Sequence, residues 1–513
     1  MRKFGFVLTF EKIYGIINLY FSYETKGLYY MNANVRIEGI KIRNFKNVIS
    51  GDISFDNTRK NYKASITGLY GQNGSGKTAL IDSIKLLKII LSGQSIPQYY
   101  SNYINVNANF SSFIFDFIVN SSQGPVKVSY SFSIYPIENT LNQNTGLDDI
   151  HKRSIQVSKE LIKCPNYDIE TSTLGRASKL IDTDCDTGFN PIPKRDLLVG
   201  TLNQTELIVT KKIAEATSRS FIFSRDLLNI IQNHVREMNG NSKSLTFYSS
   251  ILDRLFNFAL YELFVLDTQT SGLINLNAQP FFFKYAQSGI GAIGSIMLPI
   301  DRPTIVPQKE KGIVDIIINN MNIVLCQIVP NMKIGINDLG AQVMNDGSVG
   351  ERIQLVSYRE GNSKPLPLSI ESEGIKKIIS VLQLLIVVYN DPSITLAVDE
   401  LDSGIFEYLL GELLRIISER GKGQLIFTSH NLRILETIDR GFVAFTTTDL
   451  QNRYTKMTNI KGNNNLRDVY YRKIMLSDEG KNFYDSTRNS EIAIALKTAG
   501  GYGNGQKNNN SNC

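Results

Sequence analysis

An α/β fold assembled from two distant halves of the chain, with a mostly helical insert between them, is what this sequence predicts. Three observations predict it. Gly71-Gln72-Asn73-Gly74-Ser75-Gly76-Lys77-Thr78 meets the pattern G-x-x-x-x-G-K-[ST] at every required position. Far downstream, Ile394 to Val398 is an apolar strand that ends in Asp399-Glu400. Gln424 to Phe427 is a second buried strand, ending at Thr428-Ser429-His430-Asn431.

The glycine-rich stretch follows an apolar run, Ala64 to Tyr70, and precedes a helical pattern of Ala79, Leu80, Ile81, Ile84, Leu86, Leu87 and Ile89. That strand–loop–helix context is what a phosphate loop requires. Backbone N–H groups of Gly71, Asn73, Gly74, Ser75 and Gly76 turn inward around phosphate oxygens, and the helix N-terminus adds positive potential. Lys77 reaches the outer phosphates and the Thr78 hydroxyl is a Mg²⁺ ligand. The chain therefore binds a nucleoside triphosphate. Around this loop, Val35 to Ile42, Val48 to Phe55, Phe113 to Val119 and Val126 to Ile134 read as strands. The last two alternate apolar and polar residues, as half-exposed antiparallel strands do.

The second half supplies the acids. An aspartate at the end of a buried strand holds the Mg²⁺ shell in phosphate-loop proteins, which is the role of Asp399, and the adjacent Glu400 is suited to activate the attacking water. Upstream, Glu371-Ser372-Glu373-Gly374-Ile375-Lys376-Lys377 opens a helix carrying Ile378, Ile379, Leu382, Leu385 and Ile386. Ser372 and Gly374 at that N-terminus form an anion site. His430, at the carboxyl edge of its strand, can sense a γ-phosphate or hold the water.

In this order the segments resemble ABC-type ATPase heads of the SMC/RecF-like branch, in which two halves of one head lie far apart in sequence. Within that branch the chain is similar to bacterial abortive-infection (AbiLi-like) ATPases of phage defence, on Gly71 to Thr78, Glu371 to Lys377, Asp399 to Glu407 and Phe427 to Asn431. Asn452-Arg453-Tyr454, Asn465 to Asp468 and Ala499-Gly500 add to the match. The resemblance implies ATP and Mg²⁺ as cofactors and an ATP-dependent homodimer or higher homo-oligomer. It also implies a separate effector protein, encoded nearby, that this sensor or regulator holds and releases. In related heads the turn holding Arg43, Phe45 and Lys46 faces the nucleotide; a solvated basic turn is the competing reading. Two departures stand out: Glu373 replaces the first of two glycines after the signature serine, and Phe406 replaces an aspartate after the catalytic glutamate. No segment is assigned to the usual glutamine loop.

Residues 1–30 are an extension, read either as an upstream-start artefact or as a peripheral arm. The first lobe is 31–150, the helical insert or cap 151–330, the second lobe 331–500, and 501–513 a Gly/Asn-rich disordered tail. Phe221 to Met238 and Ser250 to Leu266 are helical by spacing, and Ile313 to Val329, apolar nearly all round, is expected to be buried. No long heptad run and no C-x-x-C hook are present, so tethering arms are not expected. Leu180 to Asp186 contains an Asp-x-Asp pair, read as a solvated acidic turn rather than a metal or nuclease site.

With 513 residues, 42% of them hydrophobic, the chain can bury a large core. A net charge of +7 from 55 basic and 48 acidic residues permits nucleic acid without arguing for it. The basic, tyrosine-bearing stretch at Arg453, Arg467, Arg472, Lys473 and Arg488 permits it too. Four scattered cysteines fit a reducing cytoplasm and give no zinc site. Phe4 to Phe10 is too short to span a bilayer, so no membrane association is expected. The leading reading is an ATPase with Lys77, Glu400 and His430 as catalytic residues. A DNA-binding repair or maintenance ATPase and an ATPase with a cryptic nuclease site at Asp182 are the competitors.

Overall fold

A computed structural model of the chain describes residues 18–21, 35–55, 65–138, 153–167, 173–184, 192–193, 195–200, 204–239, 241–267, 278–287, 290–344, 347–456, 465–476, 483 and 488–500. The central sheet draws its strands from across the sequence. Their order is Leu263–Leu266, Thr395–Val398, Gln424–Ser429, Ser65–Tyr70, Val443–Thr446 and Tyr454–Thr455. The first five run parallel and the last is antiparallel. Thr395–Val398 and Gln424–Ser429 are buried at every residue. Such strands, covered on both faces, read as continuous apolar runs rather than as alternation. Their register sets Val398 beside Phe427 and Phe427 beside Gly68. The residues that follow these strands therefore emerge at one edge, where open α/β sheets bind their ligands.

A second, antiparallel sheet has seven strands: Val48–Ser54, Val35–Phe45, Ser111–Ser121, Gly124–Glu138, Arg153–Tyr167, Leu174–Asp182 and Ile192–Pro193. In Ser111–Ser121 the buried residues alternate, with Phe113, Phe115, Phe117 and Val119 facing in. Phe113 also stacks on Phe132 of the next strand, centroids 5.1 Å apart. Helix Lys77–Leu91 belongs to the same core; Leu80, Ile81, Ile84, Leu86, Leu87, Ile90 and Leu91 are all buried. An apolar surface nearly all round suits a helix covered on several sides.

The insert is helical at Arg195–Val199, Gln204–Ala216, Arg225–Glu237, Lys243–Asn257 and Gln308–Ile328. It also carries strands, and the seven-stranded sheet joins residues on both sides of position 150. The expected helix Ser250 to Leu266 stops earlier. Lys243–Asn257 passes through one wide turn, Phe258–Glu262, into strand Leu263–Leu266, which pairs with Thr395–Val398. The run Leu-Phe-Val-Leu suits either state locally, and pairing with the acid-bearing strand decides it.

The helix expected to be buried all round, Gln308–Ile328, is buried along one stripe only. Val314, Ile317, Ile318, Met321 and Leu325 face the core, while Ile316 and Ile323 are exposed. It is the one helix among the described residues long and apolar enough to cross a membrane by length and composition. The Asn322 side chain ties it to the strand Met332–Val343, donating to Ile334 O at 2.8 Å and accepting from Ile334 N at 2.9 Å. Within the N-terminal extension, Asn18–Phe21 pairs antiparallel with Ile290–Pro299. The tail 501–513 and Cys185-Asp186 of the acidic turn lie outside the described residues.

Candidate functional site

The phosphate loop links Ser65–Tyr70 to the helix beginning at Lys77. Gly76 caps that helix with φ 95°, and a Cβ there would sit 2.7 Å from Val48 Cγ2, so only glycine fits. The loop is held internally by Ser75 Oγ, which donates to Gln72 O at 2.6 Å. From the neighbouring strand, Thr446 Oγ1 donates to Ser75 Oγ at 2.5 Å. Lys77 Nζ donates to Gly71 O (2.7 Å) and Gln72 O (2.9 Å) of its own loop. Burial pushes this ammonium down to about 8, while Asp399, Glu400 and Asp402 pull it back up.

A layer that sequence reasoning missed supports the loop from behind. Tyr454, buried, donates its hydroxyl to Gly76 O at 2.8 Å. Arg453, also buried, donates to Thr447 O at 2.9 Å and Asn47 O at 3.0 Å, and the Asn47 amide donates to Gly74 O. The sequence leaves Arg453 and Tyr454 in a basic stretch compatible with nucleic acid, a solvated face or a partner contact; both are interior props instead. Arg467 pairs with Glu436 and Arg488 with Glu491, so neither is an unpaired surface charge. For Tyr454 and Arg453 the telling partners, Gly76 and Asn47, lie 378 and 406 residues away in the chain, and no local pattern signals them.

The acids are fixed by Thr428, a second residue that went unremarked. Its hydroxyl donates to Asp399 Oδ1 at 2.6 Å and accepts from Glu400 N at 2.8 Å. Glu400 is thereby held at φ 49°, a left-handed conformation that is costly for a residue with a side chain. Asp399 is fully buried, and its Oδ2 has no hydrogen-bond partner among the described residues. A buried carboxylate oxygen left unpaired fits a cation that completes it. The donor set of one buried carboxylate and the Thr78 hydroxyl suits Mg²⁺, which is held by few protein oxygens together with substrate phosphates. No group of three or more His, Cys, Asp or Glu side chains able to hold a metal occurs among the described residues. At the acidic turn, Asp182 instead accepts from Lys179 at 2.7 Å.

Lys46, Asn47, Asn73, Gly74, Gly76, Lys77, Thr78, Asp399, Glu400, Asp402 and His430 all line one cavity of about 720 Å³. Lys46 reaches its rim but is ion-paired with Asp82 and lies 4.0 Å over the Tyr103 ring. Arg43 does not line the cavity; it pairs with Asp52 on the second sheet. Gly71 and Ser75 shape the loop from beneath rather than lining the space.

Ser372 and Gly374 also stand outside this cavity. Ser372 caps helix Glu373–Asn390 and is exposed beside exposed Glu373. The loop before it is anchored by Glu371, which accepts two bonds from Arg359 and one from Ser357; Arg359 holds its carboxyl below the usual range. A Cβ on Gly374 would lie 2.4 Å from Gly404 O, so glycine lets this helix start touch the turn after the acids. Three residues on, Lys377 is buried; burial lowers its ammonium and Glu400, Asp399 and Asp402 raise it. One helix thus presents an exposed serine at its tip and a buried cation toward the acids. Ile370, Phe406 and Tyr408, all exposed, lie in sequence close to these turns.

Two family models match the chain: "AAA domain" over residues 39–244, and "AAA domain, putative AbiEii toxin, Type IV TA system" over 226–436. No curated protein matches. Among solved structures, the chain is similar to an SMC head domain with an extended coiled coil bound to the C-terminal domain of ScpA, from Pyrococcus furiosus. Identity is 12% over 82% of this chain and 96% of that one, with a TM-score of 0.38. It is also similar to the SMC head domain from Thermotoga maritima, at 12% identity over 83% of this chain and 100% of that one, with a TM-score of 0.33.

Proposed function

We propose that this chain, an ABC/SMC-like P-loop ATPase head similar to abortive-infection ATPases, binds and hydrolyses ATP with Mg²⁺ and converts hydrolysis into a change of association. The observation that supports hydrolysis is the single cavity in which Lys77 and Thr78 meet Asp399, Glu400 and His430. On this reading Lys77 leaves the Gly71 and Gln72 carbonyls for the β- and γ-phosphates when ATP enters. Mg²⁺, when bound, neutralises charge on the phosphates, with Thr78 and Asp399 as its protein ligands. Glu400, fixed through Thr428, takes a proton from the attacking water as its oxygen bonds to the γ-phosphorus. The bond to the bridging oxygen breaks, and ADP and phosphate leave.

Ser372 and Gly374 do not line the cavity of their own chain, which supports their use in trans. Two heads would enclose two nucleotides, each helix N-terminus capping the γ-phosphate held by its partner. Exposed Glu373 then brings a carboxylate toward that phosphate and weakens closure. Glu400→Gln should trap an ATP-bound dimer and Lys77→Ala should leave a nucleotide-free resting form. Light scattering with and without ATP reads both; equal masses for wild type and Glu400→Gln speak against the sandwich.

In the cell we place this switch in the cytoplasm, as the sensor or regulator of an anti-phage system controlling a separate effector. The resemblance and the second family model's description support this setting. Co-purification with the product of the neighbouring reading frame, released by ATP, tests it. The nucleic-acid reading loses support from buried Arg453 and paired Arg467, and the nuclease reading from Asp182 neutralised by Lys179.

A further inference from the structure

We infer that Asp402 is a third acid of the hydrolytic site, fixing His430 with one carboxylate oxygen and accepting an O–H of the attacking water with the other. The inference deepens the reading of this cavity as a hydrolytic site and rests on it. Asp402 follows the acid pair by two residues, on the turn that carries Glu400 away from its strand. Its Oδ2 accepts from His430 N at 3.0 Å, tying the turn after one strand to the turn after the next. Its Oδ1 is buried without a hydrogen-bond partner among the described residues, although Asp402 lines the cavity. The carboxylate lies close enough to the Lys77 and Lys377 ammonium groups to act on both.

Two acids at this site therefore each leave one buried oxygen unpaired, Asp399 Oδ2 and Asp402 Oδ1. A buried acceptor of that kind is costly unless a ligand completes it. Asp399 sits at its strand end and, with Thr78, accounts for the cation. Asp402 lies two residues beyond Glu400, on the turn bonded to His430, and no described donor reaches its Oδ1; the Tyr70 hydroxyl, within electrostatic reach, is buried and likewise without a partner among the described residues. Water is the donor that hydrolysis must bring there. Two acceptors define the orientation of an attacking water where one leaves it free to rotate. Glu400 takes the proton; Asp402 accepts a hydrogen bond only.

Asp402→Asn isolates this role, because the amide oxygen can still accept from His430 N while the amide nitrogen replaces the free acceptor with a donor. Expected is a fall in kcat of about 30-fold or more, with KM for ATP and the affinity for a fluorescent ATP analogue within threefold of wild type. An Asn variant hydrolysing within threefold of wild type, or one that loses nucleotide affinity as well, overturns the assignment. A crystal structure with Mg²⁺ and a non-hydrolysable ATP analogue gives a readout independent of turnover. An ordered water within hydrogen-bond distance of Asp402 Oδ1 is expected, and a protein side chain there overturns the role. A wild type that does not hydrolyse ATP while this water is present strikes the proposed function instead.

Discussion

Thr428→Val is the sharpest probe of how the acids are held. Valine keeps the branched shape of threonine in a fully buried position, so packing changes little and the hydroxyl alone is lost. Two bonds go with it: the donation to the Asp399 carboxylate and the acceptance from Glu400 N–H. A bond to a charged group contributes about 1.5–3 kcal/mol and a neutral one about 0.5–1.5 kcal/mol. The variant should therefore lose about 2–4.5 kcal/mol of unfolding free energy in a urea titration. The effect on turnover should be larger than that on affinity. Without its anchor, Glu400 can relax from φ 49°, and a displacement near 1 Å costs about 100-fold in rate. The phosphate loop is untouched, so the Kd for ATP should stay within threefold, and Thr428→Ser should restore most of kcat. Wild-type kcat and an unshifted urea midpoint in Thr428→Val would refute the idea that this hydroxyl places the acids.

Nucleotide affinity should depend on pH through Lys77, whose ammonium is pushed down to about 8 in the free protein. Phosphates favour its charged form, so above pH 8 binding takes up a proton and Kd should rise by up to about tenfold per pH unit. Free of nucleotide, the unfolded chain binds more protons at this lysine between pH 8 and its ordinary value near 10.5, so this group's contribution to stability rises with pH there. Fluorescence titration at pH 7 and 9 checks the first effect, and equal Kd values contradict it. Tyr454→Phe removes the buried donor to Gly76 O, a loss of about 1 kcal/mol, and should weaken ATP binding about fivefold with the second sheet still folded. Isothermal titration with the analogue measures it, and unchanged affinity removes Tyr454 from the support of the loop.

The elements proposed to hold phosphate and cation were legible in the sense that each is written locally. A glycine loop between strand and helix, an apolar run ending in Asp-Glu, and a serine and a glycine at a helix start need no distant partner to be seen. What supports them was not. Thr428 looks like any strand-end threonine until Asp399 and Glu400 arrive on the neighbouring strand. Arg453 and Tyr454 look like surface residues because burial comes from contacts with Asn47 and Gly76, far back in the chain. Leu263–Leu266 continues a helical pattern and becomes a strand only through its parallel pairing with Thr395–Val398. Gln308–Ile328 misled in the opposite direction, since its outward-facing Ile316 and Ile323 imitate a second buried face.

The interleaved strand order carries a cost for biosynthesis. Among the described residues, Ser65–Tyr70 finds its sheet neighbours in Gln424–Ser429 and Val443–Thr446, and the Tyr70–Thr446 contact spans 376 residues. At roughly 5–20 residues per second, a ribosome needs about 20–75 s to supply them. For that interval the nascent segment Ile66-Thr67-Gly68-Leu69-Tyr70 has both edges open. Ribosome-bound chains that end before Val443 should therefore stay protease-sensitive and recruit chaperones, whereas chains that extend past Thr455 should not.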